Sequence, residues 1–279
     1  MVYSLTSDAF VNVLKRLVGH RGRVTDIYCD NARTFVGANR LLEENRQKFN
    51  DMHNSSGLLV FCADNRITFH FNPARSPHFG GLWEASVKTF KYHLYRVMKD
   101  TLLNIDDFNT LIIQIEGVMN SRPLTPLSSD PADVIALTPG HLIIGEPVHS
   151  LPEPNICDIP INRLDSFQKM QQRLQHFWRA WSRDYVAQLQ DRKKWPVVHP
   201  DIDVGTLVVL KEDNAPPMRW NLGRIAQVFP SKDGHVRVVQ VRTAHGTYRR
   251  AITEVCPLPI ERDDRDAHPS SSPSPPTIH

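Results

Sequence analysis

Two carboxylates, Asp30 and Glu84, stand where this chain could use them for chemistry. Asp30 closes a short apolar run, Val24 to Cys29, and is followed by Asn31. Such a run reads as a buried strand, and in open α/β sheets reactive groups gather beyond the carboxyl ends of strands. An Asp-Asn pair at a strand end also suits a plain Asx turn. Glu84 follows His78-Phe79-Gly80-Gly81-Leu82-Trp83 at the start of a long helix, where the macrodipole favours an acid whatever else it does. At ~3.6 residues per turn, Glu84, Lys88, Lys91 and Tyr95 share a narrow sector beside an apolar stripe of Trp83, Val87, Phe90, Leu94 and Val97. A carboxylate with two lysines further along the same face suits a phosphodiester held beside a divalent cation. The acid would hold the metal and the ammonium groups would meet phosphates. The Glu84–Lys88 spacing is equally that of an ordinary i,i+4 pair worth roughly 0.2–0.5 kcal/mol.

The elements that must position these groups alternate. Thr6 or Ser7 can cap a helix carrying Phe10, Val13, Leu14 and Leu17, stopping near Gly19. The strand Val24–Cys29 follows, then a polar-faced helix over 38–48, and Ile67-Thr68-Phe69-His70-Phe71 alternates like a strand. Helices are expected from Gly81 to Lys99 and from Asp106 to Asn120. This is an α/β order, with helices covering a sheet. Eight prolines between Pro123 and Pro160 mark an extended connector over 123–162. A long helix is then expected over 163–196, read most clearly from Arg163 to Lys193, with Phe167, Met170, Leu174, Phe177, Trp181 and Tyr185 at helical spacing. Residues 197–259 turn to short β-rich runs, Thr206–Lys211, Gly223–Val228, Val236–Thr243 and Thr247–Ile252. Hairpin signals at Lys232-Asp233-Gly234 and His245-Gly246 divide them, which together suggests a small barrel. Residues 260–279, acidic and then Ser/Pro-rich, read as a disordered tail.

Composition sets limits. With 279 residues, 41% hydrophobic and 23% charged, the chain can build a core of one large or two small domains. No run approaches the ~18 uncharged apolar residues of a membrane span, and the start has no signal-peptide pattern. Cys29, Cys62, Cys157 and Cys256 are scattered, which excludes a local zinc knuckle and suits a reducing, intracellular setting. Residues 1–150 are neutral, with 15 basic and 15 acidic side chains, whereas 151–260 carry 16 against 11. A mildly basic second half permits a polyanionic partner without requiring one. Thirteen histidines, among them His70, His78 and His93, lack regular ligand spacing. Gly80-Gly81 before a helix could cradle a phosphate on exposed N–H groups. Phe177, Trp178, Trp181 and Tyr185 could stack bases, although helical spacing favours a core seam.

Several motifs resemble one family. Asp30-Asn31 within Tyr28-Cys29-Asp30-Asn31-Ala32-Arg33-Thr34-Phe35 resembles the second-aspartate motif of retroviral-type integrases. Pro77-His78-Phe79-Gly80-Gly81-Leu82-Trp83-Glu84-Ala85 resembles the glutamate-bearing helix start of integrases from BEL/Pao long-terminal-repeat retrotransposons. Asn120-Ser121-Arg122-Pro123, Leu137-Thr138-Pro139-Gly140-His141, Phe177-Trp178-Arg179-Ala180-Trp181 and Trp220-Asn221-Leu222-Gly223-Arg224-Ile225 are similar to the same family, so the resemblance covers most of residues 5–259.

The resemblance implies an RNase H-like core over residues 1–122, followed by the helical linker and an SH3-like barrel over 197–259. In such a core three carboxylates bind two magnesium (or manganese) ions ~3.5–4 Å apart for in-line displacement at phosphorus. By position Asp30 is the second carboxylate and Glu84 the third, with Asn31 and His78 as neighbours. Lys88 and Lys91 fall where integrases meet the DNA end. In the barrel, Arg219, Arg224, Arg237, Arg242, Arg249 and Arg250 are a plausible phosphate-facing set, about half of which must point elsewhere on alternating strands. DNA contact is assigned to Arg219, Arg224, Arg237 and Arg249.

The departures are equally specific. The family's first carboxylate lies on a strand well upstream of the Asp30 motif, and neither Asp8 nor Asp26 occupies that position. The first three core strands and the zinc-binding region are expected to be missing, leaving an exposed sheet edge and a marginal first half. Ala32 stands where the family has glycine, which implies strain of about 1 kcal/mol if φ must be positive. The expectation is a partial integrase copy that binds DNA, forms multimers, acts in the nucleus, and has no strand-transfer activity alone. No membrane or small-molecule partner is expected. The alternative is a non-enzymatic remnant that binds nucleic acid or a partner.

Overall fold

Helices and strands follow the expected order closely, and they gather into two units rather than one. The computed structural model describes residues 4–52, 67–73, 81–99, 102–128, 130, 132–190, 202–212, 214–231 and 234–259. His78, Gly80, Cys62, Lys232-Asp233 and the 260–279 tail lie outside these. One unit comprises Met1–Glu116, Ile143–Gly145 and Asn155–Phe177; the other comprises Gly117–Leu142, Glu146–Pro154 and Trp178–His279. Three of the five boundaries, after Glu116, Leu142 and Phe177, fall inside helices, and those after Leu142, Gly145 and Pro154 lie in the proline-rich stretch.

In the first unit, α1 (Ser7–Arg21) starts where Thr6 accepts a hydrogen bond from the Ala9 amide at 3.3 Å. It runs past Gly19 and ends at Gly22, whose φ of 82° only glycine adopts readily. β1 (Asp26–Cys29) pairs in parallel with β2 (Thr68–Phe71). α2 (Arg33–Met52) lies against α1 through an edge-on contact of Phe10 with Phe35 at 4.8 Å. α3 (Gly81–Met98) buries His93, Leu94 and Val97, whereas Val87 is 47% exposed. Of the expected apolar stripe, Leu94 and Val97 are covered, Phe90 is half-buried and Val87 is open. α4 (Ile105–Asn120) opens on a reciprocal cap, the Asp107 amide donating to Asn104 Oδ1 at 2.8 Å while Asn104 Nδ2 donates to Asp107.

α6 (Ser166–Leu189) begins with a capping box: the Gln168 amide donates to Asp165 Oδ1 at 2.8 Å and the Asp165 amide to Gln168 Oε1 at 3.1 Å. Met170, Leu174 and Phe177 are buried as expected, but Phe167 is 59% exposed. Buried Gln172 donates to the carbonyls of Ile156 and Ile159 at 2.9 and 2.7 Å, and Gln175 accepts from the Ile156 amide at 2.9 Å. These amides satisfy backbone groups that an extended segment would otherwise bury unpaired.

The proline-rich stretch is more ordered than a bare connector. β3 (Thr125–Pro126) pairs antiparallel with β4 (Ala136–Leu137), and Pro139 occupies the first position of α5 (Pro139–Ile144). There its missing N–H costs nothing. Thr138 and His141 cap that helix mutually, Thr138 Oγ1 lying 2.8 Å from His141 Nδ1.

The second unit is built on a five-stranded antiparallel sheet, ordered β8-β7-β6-β5-β9. Its strands are β5 (Leu207–Leu210), β6 (Leu222–Pro230), β7 (Val236–Thr243), β8 (Gly246–Ala251) and β9 (Val255–Pro257). β9, only three residues long and ending in proline, carries no periodic signal and escapes a sequence reading. All four β5 residues are buried. Val208 and Leu210 join Ile225, Val239, Val241 and Val255 on one face, while Leu207 and Val209 join Ala136, Val186, Cys256 and Leu258 on the other. Strand alternation thereby serves two cores at once.

Gly223 lies where β6 meets β7. A Cβ there would overlap Val241 Cγ1 and come within 2.9 Å of the Arg242 carbonyl. Gly223→Ala should lower stability by about 1–3 kcal/mol in urea titrations. Gly19→Ala, in open space within α1, should raise it by about 0.5–1 kcal/mol. Equal effects of the two would refute the packing role.

Candidate nucleic-acid interface

Asp30 lies just past β1 and is exposed. Its Oδ1 accepts from the Ala32 amide at 2.9 Å, an Asx turn that leads into α2. Among the described residues Met218 is the only non-glycine with positive φ, so Ala32 sits in ordinary backbone and the expected strain is absent. Asn31 Nδ2 donates to the Asn72 carbonyl at 2.7 Å, joining the ends of β1 and β2. Burial, reinforced by the Asp30 carboxylate, pushes the Cys29 thiol up from its ordinary value. Glu84 occupies the first turn of α3, exposed, and Lys88 and Lys91 are exposed on the same helix. His78 lies outside the described residues. Among the described residues no group of three or more His, Cys, Asp or Glu could hold a metal ion.

An interaction the sequence did not reveal lies on the two-stranded sheet. His70 Nε2 is 2.7 Å from Asp26 Oδ1, and the Tyr28 ring stacks on His70 at 4.5 Å. Parallel register puts Tyr28 opposite His70 and Asp26 two positions away on the same face. The hydrogen bond from His70, then one from Thr25, holds the Asp26 carboxyl below the ordinary carboxylate range. A depressed carboxyl contributes stability that is full above its unfolded value of ~3.9 and lost as pH falls through the lower folded value. The stability gap between wild type and Asp26→Asn should therefore be constant near neutrality and shrink below about pH 4. A gap unchanged between about pH 6 and pH 3 in urea titrations would exclude this coupling.

The second unit sorts the arginines. Arg224 is 7% exposed, and its guanidinium donates to the carbonyls of Asp133, Gly205 (2.9 Å) and Ser128 (2.9 Å). It is a structural tie, because a buried guanidinium with three of its N–H groups held by main-chain carbonyls is not presented to solvent for a phosphate. Arg219 is exposed in the segment before β6. Arg237 is exposed on β7 where the register slips between Phe229 and Pro230, and donates to Ser231 Oγ at 3.1 Å.

Arg249, on the edge strand β8, lies with its guanidinium 4.7 Å above the Phe229 ring. It pairs with Gln240, which in turn pairs with Gln227, and Arg242 follows two residues along β7. Period-two alternation puts Arg249, Gln240, Gln227, Arg242 and Phe229 on the face opposite the Val239–Val241 core. The result is a polar, cationic sheet face with one aromatic ring, suited to phosphate and base contacts.

The aromatic cluster is core. Trp220 meets Trp178, Trp181 and Tyr185 edge-on at 4.8, 5.9 and 5.5 Å. Trp178 Nε1 donates to the Ala215 carbonyl, Trp220 Nε1 to Ser121 Oγ, and Tyr185 to the Pro123 carbonyl. Burial raises the Tyr185 hydroxyl above its ordinary value, with Arg122 opposing. The Asn120-Ser121-Arg122-Pro123 motif thus supplies partners to the cluster rather than chemistry.

Residues 165–258 match the model of a family of unknown function (DUF5641). No curated protein matches. Among solved structures, a chain of the cryo-EM structure of the simian T-cell lymphotropic virus intasome in complex with PP2A regulatory subunit B56 gamma aligns at 14% identity with a TM-score of 0.33. That alignment covers 92% of the present protein and 66% of that chain, just under two thirds of its length, a likeness too distant to fix fold or role.

Proposed function

We propose that this protein is an integrase-related DNA-binding chain of BEL/Pao retrotransposon type, without strand-transfer chemistry of its own. In this reading the first unit is part of an RNase H-like core and the five-stranded sheet is an SH3-like barrel. DNA is the partner, a multimer the working assembly and the nucleus the compartment. The observation that carries DNA binding is the sheet face on which Arg249 covers Phe229 beside Gln240, Gln227 and Arg242. The supporting sequence evidence is the set of motifs from Asp30-Asn31 to Trp220-Asn221-Leu222-Gly223.

Asp30 and Glu84 are two carboxylates where a two-metal site requires more, and no three-ligand group occurs among the described residues. These residues do not by themselves fit a pair of magnesium ions. A manganese-supported joining assay on the purified chain should give no product; joining abolished by Glu84→Gln would overturn that half of the proposal.

The binding half is tested by titrating duplex DNA at several salt concentrations. Reversing two charges, Arg242→Glu with Arg249→Glu, should weaken binding and lower the magnitude of the log K–log salt slope by roughly 2. Binding with no salt dependence, or a slope unaltered by the double substitution, would refute it.

A further inference from the structure

One concave site in the second unit is used by neither the sheet face nor the carboxylates. A cleft of about 200 Å³ opens between the later turns of α6 and the segment joining β5 to β6. Its floor is apolar, formed by Trp178, Val186, Val209 and Trp220. Both indole N–H groups already point at protein acceptors, the Ala215 carbonyl at 2.7 Å and Ser121 Oγ at 3.1 Å. The floor therefore offers surface rather than donors.

The lining carries four cations, Arg179, Arg183, Lys211 and Arg219, against one acid, Glu212. Glu212 already accepts from Asn221 Nδ2, and Lys211 Nζ donates to Gln190 Oε1 and the Thr253 carbonyl, each at 2.7 Å. Arg183, on α6, and Arg219, on the joining segment, are exposed to solvent.

An apolar floor under a cationic lining selects a ligand that is apolar at its centre and anionic around it. A duplex backbone is convex and has no apolar group to seat there. The volume is below the about 300–1,000 Å³ usual for a complete small-molecule site, and is the scale of one anchoring side chain from a peptide. β5 has both edges occupied, by β6 and β9, so an incoming strand cannot extend the sheet at this point.

We propose that the cleft binds an acidic linear segment of a partner protein, which seats one large apolar side chain over Trp178 and Trp220 and sets its flanking carboxylates on Arg183 and Arg219. The inference is independent of DNA binding by the β7–β8 face.

The test titrates the full chain with a blocked Glu-Asp-Phe-Asp-Glu peptide, followed by tryptophan fluorescence and by calorimetry. Saturable binding is expected, weakened at least tenfold by Arg183→Glu, by Arg219→Glu and by replacing the peptide phenylalanine with alanine. Arg242→Glu/Arg249→Glu should leave it unchanged, which separates this site from the DNA-binding face. Both cleft substitutions are on exposed side chains, and an unaltered melting curve confirms that the variants are folded. Absence of saturation below about 1 mM peptide, binding indifferent to both arginine substitutions, or equal binding of the alanine peptide would overturn the proposal. A thymidine oligonucleotide that displaces the peptide and itself loses affinity on Arg183→Glu would overturn it in favour of a nucleic-acid cleft.

Discussion

Trp220→Ala is expected to remove about 3–5 kcal/mol of stability, among the largest effects of any single substitution in this chain. Trp220 is the ring on which three others converge, edge-on to Trp178, Trp181 and Tyr185. Each such pair adds about 0.5–1.5 kcal/mol beyond simple burial. Its indole N–H also donates to Ser121 Oγ at 3.1 Å, and Ser121 is 3% exposed, so truncation removes the donor to a buried oxygen whose own O–H still bonds the Val118 carbonyl. Domains of this size are stable by about 5–15 kcal/mol in total. The melting temperature should fall by roughly 6–20 °C, taking about 2–4 °C per kcal/mol. Trp220→Phe retains a ring without the donor and should fall between the two. A drop of only a degree or two for the alanine variant would show that the cluster repacks around the gap.

Hydrogen exchange should divide the chain. Amides of β5 and of its neighbours in β6 are expected to exchange at least about a thousandfold more slowly than those of β1 and β2, a gap of about 4 kcal/mol at 1.36 per decade. Among the described residues β1 and β2 form a two-stranded sheet of four residues each, with Tyr28 65% exposed and Cys29 the only fully buried β1 residue. Two strands alone are marginal in water, because they bury too little apolar surface to offset ordering the backbone. β5, by contrast, is flanked on both edges and buried on both faces. Limited proteolysis should cut first in the unit that holds β1 and β2. Equal protection of Cys29 and Val209, together with a single cooperative melt, would contradict this division.

What sequence reading recovers depends on whether a feature is local. α1, α2, α3 and α4, the strands β1, β2 and β5 to β8, and the break in character before residue 202 all have near-neighbour signatures: caps, a 3.6- or 2-residue period, and turn residues. Boundaries shifted where a local signal had a competitor, as when Gly22 rather than Gly19 ended α1. The prolines of 123–162 were compatible with elements as well as with a connector, since a proline at a helix start or on a short edge pair loses no hydrogen bond.

The chain by itself determined its α/β order and the short β-rich runs of residues 197–259. Only the tertiary structure decided what the motif residues do. Arg224, Gly223, Ser121 and Trp220 turned out to hold the second unit together, and the buried arginine separated from the exposed ones only by what covers it, since register sets Arg224 opposite Arg242 on one face of the sheet. Asp26 and His70, forty-four residues apart, were likewise paired only by the parallel register of β1 and β2. The reason is physical: periodicity says that a residue lies on a face, while which face is covered, and by what, depends on contacts between segments far apart along the chain.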